Sequence, residues 1–229
     1  MRAMVTLMKR VQAFLQPDGF VTPGGFVPAA NDHANVGKSK AEAFITTGAG
    51  EVHPFNPHAS EFHIEHIANS LSKQVRFNGH LRGDIFYSVA QHSVYVGWEA
   101  KLDCPWAEPW GLMHDSPESV IGDMVTPIKR HMPEFVEMEH GVERCIVGKY
   151  KIERSEYIDA AVKRADRRLL YAEGYAMHAH PNILASWGQT PDTIKKIEEI
   201  DPNFTPMLPR KAKQFFLDHF YRMFYAPEG

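Results

Sequence analysis

Between Ser155 and Ala176 the apolar residues Ile158, Val162, Ala165 and Leu169 return every three to four positions. That is the spacing of one face of an α-helix, not the two-residue alternation of a half-buried strand. The same period runs through most of the chain. Ile64, Ile67, Ala68, Leu71 and Val75 follow it from an expected N-cap at Ser60, and Val89, His92 and Val96 share a face between Tyr87 and Lys101. Another helix ends at the His114–Asp115 pair, with "LDCPWAEPW" as the turn before it. Phe135, Met138, Val142 and Ile146 mark a helix from Pro133 to Tyr150, and Ala212, Phe216, Phe220 and Met223 mark one from Pro209 to Phe224. No convincing series of alternating strands and no repeat interrupts this pattern, so the chain is expected to be mainly α, in the all-α class.

The 229 residues contain no low-complexity linker between comparable halves, which predicts one domain. Residues 17–50, rich in Pro, Gly, Ala and Asn, are expected to be extended and loop-like after a short amphipathic start. Within them "NVGKSK" resembles a phosphate-binding loop. The required upstream glycine falls at Asp32 and no strand-like run precedes it, so that reading is rejected. With 44% hydrophobic and 23% charged residues and no apolar run of about 18, a membrane partner is not expected. The segment "MRAMVTLMKRVQAFLQ" does not read as a signal peptide, because Lys9 and Arg10 break its apolar stretch; the expected compartment is the cytoplasm. A net charge of -3 gives no broad cationic face, which argues against long nucleic acid as a partner. Cys104 and Cys145 are too few for a disulfide framework.

The segment "GLMHDSPESVIGD", Gly111 to Asp123, gathers titratable chemistry inside an apolar run. Neighbouring residues on a helix point about 100° apart, so His114 and Asp115 meet at one point only through something small between them, such as a metal ion. His92 lies on the apolar face of Val89 and Val96, and Asp166 is flanked by Val162, Leu169 and Leu170. A charge in such company is costly unless it is paired or coordinated. Together, His92, His114, Asp115 and Asp166 offer nitrogen and oxygen donors suited to a divalent Mn, Co, Fe, Ni or Zn ion. Singly, each has a plainer explanation: a hydrogen-bonded core histidine, or Asp166 paired with Arg164 or Arg167. His63 and His66, one turn apart and near His53 and His58, form a rival metal cluster without a completing cysteine or carboxylate.

The order H, then HD, then D resembles the HD-domain metal-dependent phosphohydrolases, whose ligands lie on separate helices of a bundle. "HDSPESVIGDMVTPIK" is similar to the signature of the bacterial 5′-deoxynucleotidases and related phage nucleotide phosphohydrolases, in which HDxxE is followed by GD and TPxK. "ITTGAGEVHPFNP", "EHIANSLSKQVRFNGH" and "FYSVAQHS" look like the upstream part of the phage branch that includes dATP triphosphohydrolases. The resemblance covers Ile45 to Ala172. It implies an HD-domain helical bundle over residues 45–229 with an N-terminal extension, partly loop-like, over 1–44.

By position, the resemblance places Glu118 on the family's catalytic carboxylate and Asp123 on a second acid near the reacting phosphate. A carboxylate one helical turn from a metal centre can accept or deliver a proton. Arg76 in "VRFNGH" falls on a phosphate-contacting arginine and Lys129 in "TPIK" on a second cation, both suited to the charge of a phosphoryl transition state. For Lys129 a surface ion pair is the alternative. His80 faces the phosphates or is an exposed loop histidine, and Phe77 and Phe86 are available for sugar and base. Two departures stand out: Gln91 occupies a position where many relatives have Glu, and Pro117 inside HDxxE should end one helix near Asp115 and start another. The implied substrate is a small deoxynucleotide, best a dATP or other dNTP cleaved to deoxynucleoside and triphosphate, with 5′-deoxynucleotidase action on dNMPs as the alternative. The resemblance further implies a homo-oligomer, in the host cytoplasm for a phage-borne chain. A non-catalytic nucleotide-binding regulator and a cyclic-nucleotide phosphodiesterase are the other readings.

Overall fold

The computed structural model describes residues 39–225 and the strands Val21–Thr22 and Gly25–Phe26. Two antiparallel hairpins come first: β1 (Val21–Thr22) with β2 (Gly25–Phe26), and β3 (Ile45–Thr47) with β4 (Gly50–Val52). In the second, Ile45 opposes Val52 and Thr47 opposes Gly50, where a φ of 121° requires glycine. Residues 45–50 were expected to be loop-like; strands of three residues hold too little alternation to be read from sequence. The amphipathic start and most of "NVGKSK" lie outside the described residues.

The rest is helical: α1 (Ile64–Leu71), α2 (Val89–Asp103), α3 (Glu108–Met113), α4 (Glu118–Ile121), α5 (Thr126–Lys129), α6 (Pro133–Tyr150), α7 (Glu156–Met177), α8 (Ile183–Ser186), α9 (Ile197–Ile200) and α10 (Pro209–Tyr225). This is an all-α class. The long helices begin where local chemistry starts them. Ser155 caps α7 by accepting from the Ile158 amide, Ser88 caps α2 by accepting from Gln91, and Pro133 opens α6 at a position that needs no amide donor.

The first helix departs from expectation at both ends. Ser60 sits in a separate 3₁₀ turn, Ala59–Glu61, and α1 starts after His63. At the other end Val75 is not helical. The Arg76 amide donates to Tyr87 O (2.9 Å) and the Val89 amide to Gln74 O (3.0 Å), so residues 74–76 bridge to 87–89 instead of extending the helix.

Over Val89 to Gly97 no face of α2 is open to solvent, and Glu99 and Ala100 are buried too. Such a helix can only be central, and α3, α7 and α10 pack around it. The closest approach is between glycines. A methyl group placed on Gly111 of α3 would stand 2.7 Å from the Gly97 Cα of α2, so two bare backbones set the distance between these helices. From α10, Ala212, Phe216 and Phe220 are buried in the core, and Tyr150 of α6 packs on Phe220 while donating to Phe62 O (2.8 Å). The Gln91 side chain donates to Thr205 O (2.9 Å) and accepts from the Met207 amide (2.8 Å), pinning the segment that leads into α10.

Candidate metal centre

The helix packing brings His92, His114, Asp115 and Asp166 together. His92, fully buried on α2, has Nδ1 2.7 Å from Glu173 Oε1, which also accepts from the Tyr87 hydroxyl at 2.7 Å. His114, just beyond α3, has Nδ1 2.8 Å from Gly111 O. A carbonyl or carboxylate oxygen accepts, so both Nδ1 atoms donate and both Nε2 atoms turn inward. His92 Nε2 lies 3.2 Å from Asp166 Oδ1 and 3.7 Å from Asp115 Oδ2, while His114 Nε2 lies 3.0 Å from Asp115 Oδ1 and 4.0 Å from Asp166 Oδ1.

A metal fits these residues on two counts. Donor atoms of His92, His114 and Asp166 all lie within 4.8 Å of one another, and among the described residues no other group of three or more metal-binding side chains is so close. Moreover, His92 Nε2 and Asp115 Oδ2 are buried with no hydrogen-bond partner, a cost that a cation between them removes. The group could hold a metal ion. Electrostatics agree. Burial and the Arg76 charge oppose protonation of His92, but the Glu173 charge, the Glu173 bond at Nδ1 and the nearby Asp166 carboxylate outweigh them and lift it to about 9. Burial likewise works against ionised Asp115 and Asp166, yet the neighbouring histidines and Arg76 hold both below the usual carboxylate range. The cluster therefore demands positive charge.

Pro117 acts as expected: α3 stops at Met113 and α4 starts at Glu118. The backbone of α4 is held by Ser70 of α1, whose Oγ donates to Ser119 O, and by Gln74 just beyond α1, whose Nε2 donates to Glu118 O, both at 2.7 Å. This keeps Glu118 at the centre, buried, with Oε2 unpartnered. Burial first, then the charges of Asp115 and Asp123, push its carboxyl well above the usual range. Asp123 is raised chiefly by burial, with Asp115 adding and Arg76 opposing. Arg76 completes the group, with Nη1 3.9 Å from Asp115, Nη2 3.5 Å from Glu173 and a buried Nε that has no partner.

The remaining expected residues lie further out. Phe77 takes a left-handed φ of 56° and places its ring beside Trp187 (6.3 Å between centroids, 20° between planes) and edge-on to His178 (5.4 Å). His80 is exposed, and no described contact joins its side chain to the cluster. Lys129 Nζ is 2.5 Å from Glu139 Oε1 of α6, so it forms the ion pair weighed as its alternative; its charge still reaches Glu118 and Asp123. Asp166 pairs with neither flanking arginine, since Arg164 binds Asp103 at 2.9 Å. His63 and His66 meet only edge-to-face at 6.2 Å, and His53 pairs with Glu61 at 2.7 Å. Gln91 does not support His92, being engaged by residues 205–207 as above.

The support of His92 falls to Glu173, which the sequence reading missed. A usable signal existed: Glu173 is seven residues beyond Asp166, two turns along the same helix face, between Leu169 and Met177. Cys104 and Cys145 are free thiols. No helix among the described residues is long and apolar enough to cross a membrane.

No protein-family model matches the chain. An uncharacterized protein of Rhodobacter capsulatus is 34% identical over 115 residues, covering 48% of this chain and 58% of that protein's length. The uncharacterized protein YfdR of Escherichia coli is 33% identical over 132 residues, covering 57% of this chain and 70% of YfdR. The chain belongs to the same family as YfdR.

Proposed function

We propose that the chain is an HD-type metal-dependent nucleotide phosphohydrolase, acting on a deoxynucleoside triphosphate, best dATP, to give deoxynucleoside and triphosphate. The observation that carries the reading is the convergence of two inward-facing Nε2 atoms with the Asp115 and Asp166 carboxylates beside a buried Glu118 and a half-buried Arg76. His92, His114, Asp115 and Asp166 would hold the ion, with Glu173 orienting His92. A bound Mn, Co, Fe, Ni or Zn ion supplies Lewis-acid polarisation of a phosphate oxygen and acidifies water. The Arg76 guanidinium, whose Nε is unspent, meets the phosphate charge. In hydrolysis water adds to phosphorus and the bond to the nucleoside oxygen breaks. Glu118 relays the water's proton to that leaving oxygen, a role suited to a carboxyl whose proton affinity is raised. Asp123 stands beside it, and Phe77 with Trp187 offers aromatic surface for sugar or base.

The triphosphate preference rests on the phage-like upstream segments. The same groups would release orthophosphate from a dNMP. The deciding experiment incubates the metal-loaded protein with NMP, dNMP, NTP and dNTP panels and identifies products by mass. Triphosphate from dATP is expected. Orthophosphate from dNMPs with no action on dATP leaves the 5′-deoxynucleotidase, and no turnover with any of the five metals leaves a nucleotide-binding regulator.

A further inference from the structure

The outer face of α7 carries a second charged feature that the candidate metal centre does not use. Arg164, Arg167, Arg168 and Tyr171 face Thr193 and Lys195 across a groove of about 310 Å³. Part of this charge has a structural explanation. Glu99, buried on α2, is neutralised by Lys195 at 2.5 Å and Arg168 at 3.3 Å, and Asp103 is held by Arg164 at 2.9 Å and Arg168 at 3.2 Å. That leaves four cations around two carboxylates. Arg167 is exposed and pairs with no carboxylate among the described residues. Arg168 Nε, although 3.3 Å from Glu99, is buried and makes no hydrogen bond.

An excess of guanidinium donors in a concave groove is a phosphate site: planar forks match phosphate oxygens, and the carboxylates already neutralised add no new repulsion. With a net charge of -3 the chain gives a long polyanion no overall attraction, which favours a short ligand. The Tyr171 ring, 6.1 Å from Trp187, adds a flat apolar wall where a base can lie. We propose that this groove binds a phosphate chain of the inorganic polyphosphate or nucleoside polyphosphate class, at a place separate from the metal centre. The inference stands on the groove alone and does not depend on the chain being a hydrolase.

The test is titration calorimetry of the full chain at physiological ionic strength and with divalent ions chelated, using inorganic triphosphate and dATP as probes. Arg167→Glu should weaken triphosphate binding at least about tenfold, the loss of one charge-assisted contact with repulsion added. Arg130→Glu, a change at an exposed residue outside the groove lining, should not. Because Arg167 pairs with no carboxylate among the described residues, Arg167→Glu should melt as the wild type does; Arg167→Gln serves should it not fold. Tyr171→Leu distinguishes the sources: it weakens dATP but not triphosphate if the occupant is a nucleotide, and neither if it is inorganic. No binding of either probe up to millimolar concentration, binding unchanged in Arg167→Glu, or equal weakening by Arg130→Glu overturns the proposal.

Discussion

Replacing Gly111 with Ala should damage the candidate metal centre without touching any of the side chains that would hold the ion. The added methyl would stand 2.7 Å from Gly97 Cα, 3.0 Å from Gly97 N and 3.1 Å from Val96 O. All three are backbone atoms, so no side chain can step aside. Carbon atoms in contact sit about 3.5–4.0 Å apart, so α3 and α2 must separate by about 1 Å. His114 and Asp115 follow directly on α3, and His92 lies on α2. Coordinating groups must be held within about 0.5 Å, so the shift exceeds what the centre tolerates. Overpacking of this kind costs about 1–3 kcal/mol, and each kcal/mol lowers Tm by about 2–4 °C in a protein of this size. The assay has two arms: thermal unfolding with divalent ions chelated, and an equilibrium Mn titration. Gly111→Ala is expected to lower Tm by several degrees and weaken Mn at least about tenfold. Gly148→Ala is the control. It lies inside α6 with nothing within 4 Å of its added methyl, and exchanging a helical glycine should stabilise by about 0.5–1 kcal/mol. A Gly111→Ala protein with wild-type Tm and wild-type Mn affinity would show that the two backbones do not set the ligand spacing.

Four further outcomes are expected. His92→Ala, His114→Ala, Asp115→Ala and Asp166→Ala should each lose bound metal by elemental analysis while far-UV circular dichroism stays helical; stoichiometric metal in all four would place the ligands elsewhere. Glu118→Ala should keep metal and lower kcat by roughly two to four orders of magnitude, and an unchanged kcat would move the proton role to Asp123. Glu173→Gln keeps the shape but weakens the grip on His92 Nδ1, so metal affinity should fall about 10–100-fold; an unchanged affinity would make Glu173 merely structural. Acid should weaken metal binding, because a proton and the ion compete for His92 Nε2. The metal-depleted protein has the opposite dependence from the same histidine. Its folded pKa of about 9 lies above the usual 6.5, so the stability it contributes is full below about 6.5 and is lost as pH rises through 9. Chemical denaturation across that window, with and without Mn, checks both signs.

How much of this could be read from the sequence depends on how many turns each element spans. The helices α6, α7 and α10 run for 18, 22 and 17 residues, enough for four or five repeats of the apolar face, and Pro133 and Ser155 mark two of their starts. The four-residue α8 and α9 hold a single turn each, below what periodicity resolves. In α1 the local signals misled, since Ser60 is a good cap and Val75 is in phase. Backbone pairing of residues 74–76 with 87–89, invisible to any local window, decides where that helix stops. The central position of α2 was also hidden, because its buried Gln91 finds partners at Thr205 and Met207 only in the folded chain.

The site was legible for a different reason, which also bears on what it is for. His92 and Asp166 stood out because each is a polar group on an apolar helix face, and the fold places both in one cluster with His114 and Asp115. Lys129 could not be resolved in this way, because its partner Glu139 lies on another helix and only tertiary packing brings it near. Glu173 carries the same signal as Asp166, and reading every acid on the apolar face of α7 equally would have found it. The common thread is cost. Arg76, His92, Asp115, Glu118 and Glu173 each retain a buried atom with no hydrogen-bond partner, and each such atom forfeits about 1–3 kcal/mol. Well-packed apolar residues in a buried polar cluster are often as stable or more so. A group of side chains this unfavourable for folding is hard to account for by the bundle itself; a cation beside His92 Nε2 and Asp115 Oδ2 and an anion beside Arg76 Nε would supply partners to those three atoms.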